Sequence, residues 1–202
     1  ARLPAAEPYG IVEITPEREY LLVTEFMEGA VEIGDAEVDD SIIDQGLEIV
    51  RRLWDAGLAH RDIKPANLLV RDGKLHLVDP AFAEVRPSPW RQAVDLGNMM
   101  LVLALRTDAE RVYARAHRFF SDDEIAEAFA ATRGLTMPTQ LRGLIRQQGR
   151  DLHADFTALL PVRLPPVKIQ RWSWRRVALT VMVAIGVALG VVVAIGLLQS
   201  PL

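Results

Sequence analysis

The chain opens with short apolar runs and then turns to longer helical stripes. Tyr9 to Thr15 (YGIVEIT) and Tyr20 to Phe26 (YLLVTEF) read as two strands of an antiparallel hairpin, joined at Pro16-Glu17-Arg18-Glu19. After a loop with Gly29 and Gly34, Asp39 or Asp40 can cap a helix running to about Asp55, with Gly57 as its stop. Ile42, Ile43, Leu47, Val50, Leu53 and Trp54 fall on one face of that helix. Asn67 to Val70 and Lys74 to Val78 are strand-like runs around Arg71-Asp72-Gly73, where Asp-Gly favours a tight hairpin turn. From Arg91 or Gln92 to Leu105 the pattern is that of a buried helix. Further helices are predicted at about Asp108 to Phe120, Asp122 to Arg133 and Pro138 to Leu160; Ser121 and Glu124 form a capping box for the second of these.

The apolar pattern changes again near the end. Residues 161–170 (PVRLPPVKIQ) read as a linker, and no charged side chain follows Arg176. Val177 to Leu198 is uncharged and, as a helix, would extend about 33 Å, enough for a hydrocarbon core of roughly 30 Å. Lys168, Arg171, Arg175 and Arg176 flank it on one side, with Trp172 and Trp174 suited to the interface, so the preceding domain is expected in the cytoplasm of a single-pass membrane protein. Gly186 and Gly190 make a GxxxG pair that offers a dimer contact.

Composition narrows the function. The 202 residues allow one domain with an appendage, and a net charge of -4 without a basic patch argues against nucleic acid as a partner. With no cysteine, disulfides and thiolate metal sites are excluded. The first residue is Ala1, and the opening stretch lacks the build of a signal peptide, so the N-terminus reads as a cut or processed edge.

The most specific chemistry lies between His60 and Asp79. Phosphoryl transfer needs a carboxylate to orient the attacking hydroxyl, a cation for the moving phosphoryl group and oxygen ligands for magnesium. Asp62 is the candidate base, Lys64 the candidate cation, and Asn67 and Asp79 the candidate metal ligands, held at the two ends of the tight hairpin.

The stretch HRDIKPANLLV resembles the catalytic loop of eukaryotic-type serine/threonine kinases, with Val78-Asp79-Pro80-Ala81 in the place of the DFG motif. The resemblance covers about Tyr9 to Leu105. It implies an α+β, protein-kinase-like fold: a remnant N-lobe hairpin and hinge over residues 1–30, then a mostly helical C-lobe over 31–160. The linker (161–176) and one transmembrane helix (177–198) complete the expected layout. It also implies that EFMEG (25–29) is the hinge, where Glu25 and Met27 would bind the adenine of ATP through their backbone. His60 and Arg61 would be structural, and Asp95 would anchor the catalytic loop.

Two departures shape the expectation. DPA keeps the carboxylate but loses the phenylalanine and glycine of DFG, and Asp95 follows Asp79 by only 16 positions, with no APE motif. The compact layout is more similar to RIO-type and bacterial lipopolysaccharide-kinase-like proteins, and control by loop phosphorylation is not expected. No glycine-rich loop precedes the first hairpin and no lysine precedes Lys64, so those nucleotide-gripping parts are expected upstream of Ala1. The expected function is a membrane-anchored phosphotransferase dependent on ATP and Mg2+, of serine/threonine type, acting on a protein or membrane-associated hydroxyl. The alternative is an inactive pseudokinase module regulating a larger, multispan, lipid-handling membrane protein.

Overall fold

A computed structural model describes residues 3–132, 136–161, 182, 183 and 186. The chain divides into two compact units, Ala1–Pro166 and Val167–Leu202. The first is a mixed helix and strand body. The proposed membrane span at 177–198, with its Gly186 and Gly190 pair, falls almost wholly outside the described residues. Among those residues, no helix is long and apolar enough to cross a membrane.

The strands form three small antiparallel sheets. Strands β1 (Pro8–Thr15) and β2 (Glu19–Thr24) form the expected hairpin, with Ile11 opposite Leu22 and Val12 opposite Leu21. Opposed residues share a face, so these two neighbouring pairs put aliphatic side chains on both faces. All four are exposed, as are Tyr9, Ile14 and Tyr20. An isolated two-stranded ribbon is only marginally stable in water, so this one carries more apolar surface than it can bury alone.

Helix α1 (Asp40–Asp55) begins where the sequence places it, because the Asp39 carboxylate accepts the Ile42 N–H at 2.9 Å. Its stripe of Ile42, Ile43, Leu47, Val50 and Leu53 is buried, each side chain contributing roughly 1.5–3 kcal/mol by leaving water. Gly57, at φ 66°, turns the chain away from the helix.

Strand β3 (Val31–Glu32) joins the hairpin β5 (Leu68–Arg71) and β6 (Lys74–Leu77), and β4 (Leu58–Ala59) pairs with β7 (Glu84–Val85). The three two-residue strands are not foreseen by the sequence pattern. Asp72 and Gly73 both have positive φ, as a tight primed turn requires.

The centre of the core is α2 (Pro89–Arg106), buried continuously from Ala93 to Leu105. Around it pack α1, α3 (Ala109–Ala116), α4 (Asp122–Ala131), α5 (Thr139–Gln147) and α6 (Leu152–Leu159). The capping box at Ser121 and Glu124 is formed. The approach of α2 to the end of α4 is close enough that a Cβ on Gly97 would lie 2.1 Å from Thr132 Oγ1.

Several predicted boundaries are corrected. The single helix expected from Pro138 to Leu160 is two helices: Gly149 adopts φ 65° between them, and Asp151 caps the second by accepting the Ala154 N–H. Helix α3 stops at Ala116 rather than Phe120, as its last turn tightens through bonds from Phe119 and Phe120 to the Ala116 carbonyl. Strand β2 ends at Thr24, before Phe26. Asn67 ends a 3-10 turn (Pro65–Asn67) instead of opening a strand.

Candidate active site

The site is built from a loop hung between α2 and the β5–β6 hairpin. Asp95 sits fully buried on α2, and its carboxylate accepts the backbone N–H of His60 at 2.5 Å and of Arg61 at 2.8 Å. These bonds fix Arg61 at φ 68°, a left-handed conformation that costs a side-chain-bearing residue about 1–2 kcal/mol. The His60 ring ties the loop to the hairpin from the other side, with Nε2–H donating to the Val78 carbonyl at 3.1 Å. Burial dominates both titrations. It holds the His60 imidazole below its ordinary value, so the ring stays neutral, and pushes the Asp95 carboxyl up to about 7 against the pull of its two amide donors.

The short loop after Arg61 brings three of the candidates into hydrogen-bond contact. Lys64 Nζ lies 2.5 Å from Asp62 Oδ2. Asn67 Nδ2 donates to the Asp62 backbone carbonyl at 2.8 Å and to Asp62 Oδ2 at 3.1 Å. Because both partners are acceptors, the amide must present its nitrogen to Asp62, leaving Oδ1 as an oxygen ligand. Asn67 is also bonded through its backbone to the hairpin end, its carbonyl accepting the Val78 N–H at 3.0 Å. Asp79 follows directly. It is exposed, at φ 60°, and its side chain does not cap the 3-10 turn (Pro80–Phe82) it precedes. No side-chain hydrogen bond joins Asp79 to the other three; the backbone link through Val78 is what brings it alongside Asn67.

These donors suit magnesium. A hard cation of this size takes oxygen ligands, with one or two from protein carboxylates and the rest from phosphate and water. The Asn67 amide oxygen and the Asp79 carboxylate match that set. No cluster of three or more His, Cys, Asp or Glu occurs among the described residues, as a transition-metal or all-protein site would require.

The other two candidates, Glu25 and Met27, lie in the segment that leaves β2. The Glu25 N–H donates to the Glu7 carbonyl, and the Met27 carbonyl accepts the Ala30 N–H. The Glu25 carbonyl and the Met27 N–H have no hydrogen-bond partner among the described residues. They are one acceptor and one donor on the same short stretch. The Glu25 side chain is occupied elsewhere, paired at 2.9 Å with Arg71 on β5, which is the main reason its carboxyl lies below the usual range. That pair fixes the segment against the hairpin bearing Asn67 and Asp79.

Sequence reasoning missed Glu84. Its carboxylate receives Arg91 from α2 and lies 3.5 Å from Arg61, so β7 braces the residue next to Asp62. It missed Gln140 too, whose side-chain oxygen accepts the Ala66 N–H at 3.2 Å while its nitrogen donates to Glu32. Glu84 lies in a stretch without apolar periodicity, and Gln140 lies near the start of a predicted helix whose pattern says nothing of what its amide bonds, so only the fold reveals them.

No protein-family model matches the chain, and no curated protein matches it. Among solved structures, it is similar to the crystal structure of the Rad53 kinase domain and SCD2, at 14% identity over 76% of each chain, with a TM-score of 0.43.

Proposed function

We propose that this chain carries the catalytic loop of a kinase-like phosphotransferase that uses ATP and magnesium. The observation that carries the reading is the hydrogen-bonded set of Asp62, Lys64 and Asn67, with Asp79 linked to Asn67 through the backbone of Val78. A base, a cation and two oxygen ligands on one loop and one hairpin are the parts phosphoryl transfer needs.

Each residue then has a task. Asp62 receives the acceptor's hydroxyl proton and orients its oxygen. Lys64 is held by Asp62 at the point where negative charge develops. Asn67 Oδ1 and the Asp79 carboxylate would hold magnesium, which when bound supplies charge neutralisation for the phosphates. The unpartnered Glu25 carbonyl and Met27 N–H fit the donor and acceptor edge of an adenine. Anchoring by residues 177–198, a cytoplasmic face and a serine/threonine-type acceptor belong to the same proposal and rest on the sequence.

A second reading, an inactive regulatory module, is favoured by one observation: the Lys64 ammonium is already engaged by Asp62, at 2.5 Å. Phosphate transfer by the full-length protein separates the two. With labelled ATP, Asp62→Asn should abolish transfer while nucleotide binding persists. Unchanged turnover in that variant would remove Asp62 from its role, and nucleotide binding without any transfer in the wild type would favour the regulatory module.

A further inference from the structure

Beside Asp62 and Lys64 lies a cavity of about 740 Å³, within the size range of ligand clefts. It is lined by the loop side chains Arg61, Asp62 and Lys64, by Phe82, and by residues from the start of α5 and the turn before it, among them Met137 and Arg142. A molecule seated there touches the candidate base, so under the reading above this is where an acceptor sits.

The charge of the lining is lopsided. Asp62 is its only acidic side chain among the described residues, and Lys64 pairs with it. Arg61 lies outside that pair. It shares the single Glu84 carboxylate with Arg91, so two guanidinium groups meet one anion and positive charge is left in excess beside the cavity. Arg142 lines the cavity as well, held there by an Nη2–H bond to the Met137 carbonyl at 2.8 Å. A cleft lined mainly by one sign of charge attracts ions of the other.

We infer that the acceptor is a hydroxyl compound carrying its own anionic group, which Arg61 and Arg142 hold while the hydroxyl meets Asp62. This rests on the phosphotransfer reading. In the reaction the acceptor oxygen bonds to the γ-phosphorus as the bond from that phosphorus to the β–γ bridging oxygen breaks. ADP departs with the electron pair, and the hydroxyl proton passes to the Asp62 carboxylate. A serine peptide with acidic neighbours and a phosphorylated sugar both present this chemistry.

The test uses the full-length protein, labelled ATP and two matched pairs of acceptors: a serine peptide flanked by glutamates against one flanked by lysines, and a hexose phosphate against the free hexose. The anionic member of at least one pair should be preferred by roughly ten- to hundredfold in kcat/KM, as expected for one to two charge-assisted bonds. Which pair shows the preference identifies the source of the anion. In Arg142→Gln that ratio should fall toward one, and because it is a ratio within one enzyme it is insensitive to partial loss of folded protein. A wild type that prefers the neutral or lysine-flanked acceptors, or does not discriminate, overturns the inference, as does ATP hydrolysis with no transfer to either anionic acceptor. Failure to bind or hydrolyse Mg-ATP at all defeats instead the phosphotransfer reading beneath it.

Discussion

Replacing Asp95 by Asn isolates what the buried carboxylate does for the catalytic loop. The two side chains have nearly the same shape, and both the protonated acid and the amide offer one acceptor to the two backbone N–H groups of His60 and Arg61. Ionisation separates them. Only the carboxylate can accept from both amides, yet burial raises its pKa from the ordinary 3.8 to about 7. The folded protein therefore binds this proton more tightly than the unfolded chain does. The stability it contributes is fully present below pH 3.8 and is lost as the pH rises through about 7.

From pH 5 to pH 8 the wild type should lose roughly 2–3 kcal/mol relative to Asp95→Asn. Each pH unit between the unfolded and folded pKa values is worth about 1.4 kcal/mol, and this interval crosses about two of them. Urea unfolding of both proteins at the two pH values measures it, because the other ionisable groups cancel in the difference. Phosphate transfer should fall in the variant, as an amide nitrogen now faces one of the two loop amides and loosens the turn that presents Asp62. A stability difference that does not change with pH, or that moves in the wild type's favour as pH rises, would refute the reasoning. It would mean the amide donors outweigh burial.

Other predictions follow from the packing. Gly97→Ala should destabilise by about 1–3 kcal/mol or more, because the added methyl would overlap Thr132 Oγ1 and lie 3.0 Å from the Ala128 carbonyl; Thr132→Ala should recover part of the loss in thermal melting. Ser121→Ala removes one half of the capping box and should cost about 1 kcal/mol in urea unfolding, with the transfer reaction of the folded protein unaffected.

Much of this fold is legible wherever local chemistry and tertiary packing agree. Asp39 and Ser121 announce their helices because a side-chain oxygen satisfies an orphan N–H regardless of what packs nearby. Asp72-Gly73 announces its hairpin because both residues tolerate positive φ. Strands β3, β4 and β7 are two residues each, too short to alternate, and exist only because a partner strand lies alongside. The break at Gly149 is hidden because apolar residues continue on both sides of it, so periodicity alone reads through. At the site, the four polar residues stand out through their types and spacing. Glu84 and Gln140 do not, since a carboxylate bridging two arginines and an amide bonded to the loop backbone are made by chain segments distant in sequence.

Whether those four residues serve one bound metal is tested most directly by thermal stabilisation of the full-length protein with ATP, with and without Mg2+, in the wild type and in Asp79→Asn. A magnesium-dependent rise in Tm in the wild type that disappears in the variant is the predicted result. Equal stabilisation of both proteins, or stabilisation indifferent to magnesium, would contradict the account.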